Sequence, residues 1–185
     1  VFSLGNRRIN LLDTPGHVDF SAEMERTLQV LDYAVLVISG ADGVQGHTET
    51  LWKLLNLYEI PTFIFINKMD QPGTDRDSLI AELKERLDEG CIVFSKGKDA
   101  ENEKVDKAET KGRKDKDLNE ETDICSLGFE SLEELAMTDE AVLDYFMEHE
   151  TVRDKDICRL IKERKVFPCY FGSALKLDGV QELLA

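Results

Sequence analysis

Apolar and polar positions along the chain alternate between two periods. The run Val1-Phe2-Ser3-Leu4 and the run Arg8-Ile9-Asn10-Leu11-Leu12 flank Gly5-Asn6, and Gly beside Asn between β-rich runs predicts a hairpin. Helical spacing follows from about Phe20 to Leu31, with Met24, Leu28 and Leu31 on one face. Ala34-Val35-Leu36-Val37-Ile38 is a continuous apolar run, the pattern of a strand buried on both faces. Thr48 to Tyr58 is helical, with Leu51, Leu54, Leu55 and Tyr58 on one face. Thr62 to Ile66 is another buried strand, and Ser78 to Leu87 another helix.

The pattern breaks over residues 96–123. Lys, Asp and Glu dominate there, with too few apolar groups to offset the entropy of ordering, so the stretch is expected to be a charged surface insertion. Periodicity resumes with helices near Leu132 to Met137, Asp139 to Glu148 and Val152 to Glu163. A last strand, Val166 to Phe171, leads into Gly172-Ser173-Ala174, and a final helix starts near Asp178. Strands alternating with helices predict a mostly parallel α/β sheet in three layers, with ligands bound beyond the carboxyl ends of its strands.

Composition narrows the function. A net charge of -15 repels nucleic-acid phosphate on average, so no DNA partner is expected, and RNA contact would come from parts outside these residues or from a small local patch. No apolar run is long enough to cross a bilayer and no secretory pattern opens the chain, so no membrane partner is expected and the location reads as cytoplasmic. The four cysteines, Cys91, Cys125, Cys158 and Cys169, form no CxxC pair and do not cluster with the histidines. Reduced, mostly buried thiols are expected rather than a zinc site.

Three polar motifs follow apolar runs. In Asp13-Thr14-Pro15-Gly16-His17, a carboxylate after buried hydrophobics is a Walker-B arrangement that presents oxygen to Mg²⁺, often through water. Gly16 lets a backbone N–H approach a γ-phosphate, and His17 would lie next to an attacking water. In Asn67-Lys68-Met69-Asp70, a carboxylate accepts from N1–H and the 2-amino group of guanine, a donor pair that adenine lacks. The Lys68 stem can lie against the base. In Gly172-Ser173-Ala174-Leu175-Lys176, small residues allow a backbone N–H to meet guanine O6. Each motif alone suits an ordinary turn. Their order along one chain is what points to a guanine nucleotide.

With Asp13 to Phe20, Asp42-Gly43-Val44-Gln45 and Asn67-Lys68-Met69-Asp70 together, the chain resembles the translational GTPases of the elongation factor G type. Asn67 to Gln71 followed by a compact helical region, with Phe167-Pro168-Cys169-Tyr170-Phe171-Gly172-Ser173-Ala174, leans towards the tetracycline-resistance ribosomal protection proteins. The resemblance implies a P-loop GTPase fold, GTP and GDP as ligands with Mg²⁺, and hydrolysis stimulated by the ribosome. It implies that Asp13 supports Mg²⁺ through water and that Asp13, Thr14, Pro15, Gly16 and His17 meet the phosphates. It makes His17 the residue that orients the hydrolytic water, and residues 16–31 a switch segment. Asn67, Lys68, Met69, Asp70, Ser173, Ala174 and Leu175 would hold the guanine.

The phosphate loop G-x-x-x-x-G-K-[ST] does not occur in these residues. The one Gly-Lys pair, Gly97-Lys98, is followed by Asp99. The expectation is therefore a partial GTP-binding domain over 1–185, lacking its first strand, phosphate loop and switch I, and inactive in isolation. The alternative is a truncated, non-catalytic ribosome-binding module.

Overall fold

The computed structural model describes residues 1–14, 26–94 and 127–184. Its centre is a four-stranded parallel sheet in the order β3-β4-β6-β5, where β3 is Ala34–Ser39, β4 Thr62–Asn67, β5 Cys91–Val93 and β6 Phe167–Phe171. Ahead of it, β1 (Phe2–Leu4) and β2 (Arg7–Ile9) form a separate antiparallel hairpin, with Leu4 opposite Arg7. Gly5 turns it with a φ of 54°, a left-handed conformation open to glycine.

Side-chain alternation divides the core in two. Ile64 and Ile66 of β4, Phe167, Cys169 and Phe171 of β6, and Cys91 of β5 point to one face. There they meet Trp52 and Leu55 of α1 (Gly46–Leu57) and Leu79 and Leu83 of α2 (Arg76–Arg86). Ile92 of β5 points the other way, beside the partly buried Phe63 and Phe94. That face is covered by α3 (Phe129–Met137), α4 (Glu140–His149) and α5 (Asp154–Lys162), through Leu135, Val142, Phe146, Ile157 and Leu160. Three layers result.

Particular contacts fix the layers. Trp52 meets the Phe167 ring edge-on at 4.7 Å and donates its indole N–H to Leu87 O at 3.0 Å. Arg164 stacks over both rings, at 5.6 and 5.1 Å, and its guanidinium hydrogen-bonds Ile60 O. Asp75 caps α2 by accepting from Ser78 N at 2.9 Å. A third layer contact is electrostatic. Asp139, ahead of α4, accepts from Arg159 of α5 at 3.1 Å and from Lys165 at 3.0 Å. Both cations hold its carboxyl well below the usual range.

Several expectations need correction. β3 is not buried on both faces: Leu36 and Ile38 are inside, but Val35 is 47% and Val37 60% exposed. Among the described residues β3 pairs with β4 alone and is an edge strand. The Cys91-Ile92-Val93-Phe94 run forms a strand that periodicity does not reveal, because four apolar residues after a helix read equally as its continuation. β2 stops at Ile9, and Leu11 and Leu12 are exposed. Cys91 and Cys169 are buried thiols, whereas Cys158 is exposed. The final helix, α6, spans Val180–Leu184. The helical face assigned to residues 20–31 lies partly outside the described residues, although Leu28 is in the core. The charged stretch at 96–123 lies outside them entirely. Among the described residues no helix is long and apolar enough to cross a membrane.

Candidate functional site

The carboxyl ends of β3, β4 and β6 lie side by side, and their loops are bonded to one another. Ser39 is in register with Asn67, and Gly40 N donates to Asn67 O at 2.7 Å. Gly172 N donates to Ile66 O at 2.9 Å, and Met69 N donates back to Gly172 O at 3.0 Å. The loops after β4 and β6 therefore leave the sheet as one unit.

Asn67 is the centre of that unit. Its Oδ1 accepts from Lys68 N at 2.8 Å and from Ala174 N at 2.9 Å. Lys68 has a φ of 64°, a left-handed conformation that a side chain rarely adopts. Such strain persists where surrounding bonds over-determine it, and it concentrates at ligand sites. Here the Asn67 bond and the Met69 bond impose it on both sides. The turn then delivers Asp70 alongside the loop after β6.

The Asp70 carboxylate accepts from Lys176 Nζ at 3.1 Å and from the Ser173 hydroxyl, in that order of influence, and both hold its pKa below the usual carboxylate value. It is ionised at neutral pH and remains 28% exposed. Ser173 is buried, and Ala174 and Leu175 are exposed on a turn of 3-10 helix, Ala174–Lys176. Gly172 is required at the root of this loop. A Cβ there would lie 2.1 Å from Asp178 O.

Beside these loops is a cavity of about 450 Å³ lined by Ser39, Asp42, His47, Thr48, Asn67 and Lys68 among others. Its size suits a small ligand. Ser39 Oγ is buried with no hydrogen-bond partner among the described residues. The motifs in the sequence do not single out Ser39, His47 or Thr48 as site residues. Ser39 carries a signal, as a polar residue ending an apolar strand.

The structure thus brings Asn67, Lys68, Met69 and Asp70 together with Ser173, Ala174 and Leu175. Of the first motif only Asp13 and Thr14 are described, and they are exposed, four and five positions beyond β2, which among the described residues pairs only with β1. Pro15, Gly16 and His17 lie outside the described residues. Among the described residues no group of three or more His, Cys, Asp or Glu could hold a metal ion. Mg²⁺ in nucleotide sites needs only one or two carboxylates beside phosphate and water, so a larger acidic cluster is not required for it.

A three-layer parallel sheet with its specialised loops joined at the strand ends defines an α/β ligand-binding domain of the P-loop GTPase class. The family model for the elongation factor Tu GTP-binding domain matches residues 2–185, and the chain belongs to that family, the GTP-binding domains of translational GTPases. A crystal structure of a protein from Thermus thermophilus has the same fold, with a TM-score of 0.67 over 93% of this chain at 23% identity. This chain spans 28% of that one.

Proposed function

We propose that this chain binds GTP and GDP through the joined loops after β4 and β6, and serves a ribosome-stimulated GTPase. The observation that carries the reading is the Asn67–Ala174 bond, which holds the Asn67–Asp70 and Ser173–Leu175 motifs against each other. Asp70 accepts from N1–H and the 2-amino group of guanine. An ionised carboxylate suits that pair of donors and leaves adenine unmatched. Ala174, its own N–H held by Asn67, fixes the loop beside the base, and Leu175 offers a backbone N–H near guanine O6. Ser173 steadies Asp70, and the Lys68 stem and Met69 flank the base.

Asp13, Thr14, Pro15, Gly16 and His17 serve the phosphates. Asp13 would hold Mg²⁺ through water, and Gly16 would offer its N–H to the γ-phosphate. When bound, Mg²⁺ neutralises charge on the β- and γ-phosphates. His17 orients the water that attacks the γ-phosphate. These roles rest on the motif alone. The sequence from Phe167 to Ala174 favours the ribosomal protection branch over the elongation factors. A cytoplasmic location and the ribosome as partner follow from the same reading.

Competition binding tests the central claim. GDP should displace a fluorescent guanine nucleotide from the full-length protein, with ADP weaker by on the order of 10,000-fold. Equal displacement by ADP would remove guanine recognition. Selective binding and ribosome co-sedimentation without any hydrolysis would favour the non-catalytic ribosome-binding module.

A further inference from the structure

The backbone around Asp70 is attached on two sides. On one side Met69 N donates to Gly172 O at 3.0 Å and ties the turn to the end of β6. On the other the Thr74 hydroxyl lies 3.0 Å from Met69 O and 3.0 Å from Gln71 O. Met69 O belongs to the peptide that enters Asp70, and Gln71 O lies one residue beyond it. One hydroxyl hydrogen is therefore shared by the two carbonyls that bracket Asp70. Gln71 N donates to Lys68 O at 3.1 Å, and Gly73 turns the chain back with a φ of 90°.

Thr74 can hold this turn because it is itself held. It immediately precedes Asp75, which caps α2 by accepting from Ser78 N at 2.9 Å. Leu79 and Leu83 then anchor α2 in the core. Gln71, Pro72 and Gly73 between them are exposed, so hydrogen bonds rather than packing hold the turn.

We infer that Thr74 is a positioning residue for guanine recognition, acting through Asp70. Ser173 and Lys176 hold the carboxylate, and Thr74 holds the backbone from which it projects. Two donors on a rigid base need both oxygens in register, so a small rotation of Asp70 weakens one of the two bonds. A single donor is less demanding, because the carboxylate can turn to follow it. The inference rests on the reading of Asp70 as the guanine acceptor.

The test measures binding of GDP, inosine diphosphate and ADP to the full-length protein and its Thr74→Val and Thr74→Ser variants. Valine keeps the shape and removes the hydroxyl, whereas serine keeps the hydroxyl. Hypoxanthine lacks the 2-amino group and offers Asp70 one donor. Thr74→Val should bind GDP about three- to ten-fold more weakly and inosine diphosphate within about two-fold of the unaltered protein, which narrows the preference between them. Thr74→Ser should stay within about two-fold for both. Equal weakening of both nucleotides by Thr74→Val would mark a merely structural role and overturn the inference, as would unchanged GDP binding. Equal losses in Thr74→Val and Thr74→Ser would overturn the role of the hydroxyl. If the unaltered protein does not prefer GDP to ADP, the guanine role of Asp70 fails, and that of Thr74 fails with it.

Discussion

Asn67 accepts the backbone N–H of Ala174 at 2.9 Å across 107 positions of sequence, and through that bond the end of β4 sets the conformation of the loop after β6. The same oxygen holds Lys68 N at 2.8 Å, so one side chain stabilises both a strained turn and its neighbour. Removing it by Asn67→Ala strands two N–H groups. Guanine affinity should fall roughly ten- to a hundred-fold. Hydrogen exchange at the Ala174 amide should accelerate in the same variant. If that amide stays protected, the bond does not organise the loop.

Asp70 offers two acceptors to two donors. Asp70→Asn exchanges one acceptor for an N–H₂ donor. Xanthine carries a carbonyl where guanine carries its 2-amino group, so the variant should match xanthine instead. GDP binding should weaken on the order of a hundred-fold while xanthosine diphosphate gains. Retention of GDP preference in Asp70→Asn would place the base elsewhere.

The proposed role of His17 is chiefly to orient the attacking water, with little of the nucleotide affinity resting on its side chain. His17→Ala in the full-length protein should bind GTP within about two-fold of the unaltered protein. Ribosome-stimulated turnover should drop by on the order of 100-fold or more. Unchanged turnover, measured as phosphate release, would remove His17 from the mechanism.

The helical layer over the second face depends on Leu160, which is fully buried among Leu135, Val142 and Val166. Leu160→Ala should lower unfolding free energy by about 2–5 kcal/mol in a denaturant titration. Met147→Ala, on the exposed side of α4, should stay within about 0.5 kcal/mol. Similar losses for both would contradict this division of α-helical faces.

Tyr170 is buried against Phe94, with ring centroids 6.2 Å apart, and burial first, then the Cys169 thiol, pushes its phenol up to about 12. The folded chain therefore keeps a proton that the unfolded chain releases near its ordinary value of about 10. Its contribution to stability is complete below that value and is lost as pH rises towards about 12. Tyr170→Phe should remove this part of the alkaline loss. Phenolate absorbance should show one tyrosine in the unaltered protein titrating late, and normal titration of all four would refute its burial.

The two loop motifs were legible as special loops because their residue types are local. Asn67 to Asp70 and Gly172 to Leu175 announce themselves by residue type after apolar runs, and α2 by Leu79 and Leu83 at helical spacing. Burial of β3 was not legible. Its five apolar residues describe a strand but not what packs on each face, and among the described residues Val35 and Val37 are left exposed. Nor could residue type reveal that Lys176 would rest on Asp70.

Periodicity and motif by themselves determined an alternating α/β chain with a guanine-type signature, since each depends on neighbours within a few positions. Only the tertiary structure decided that β6 inserts between β4 and β5, placing Asn67 beside Ala174 and Lys176 over Asp70. Strand order is settled by non-local hydrogen bonds and by which faces the helices can bury, and neither is written in any single stretch of sequence.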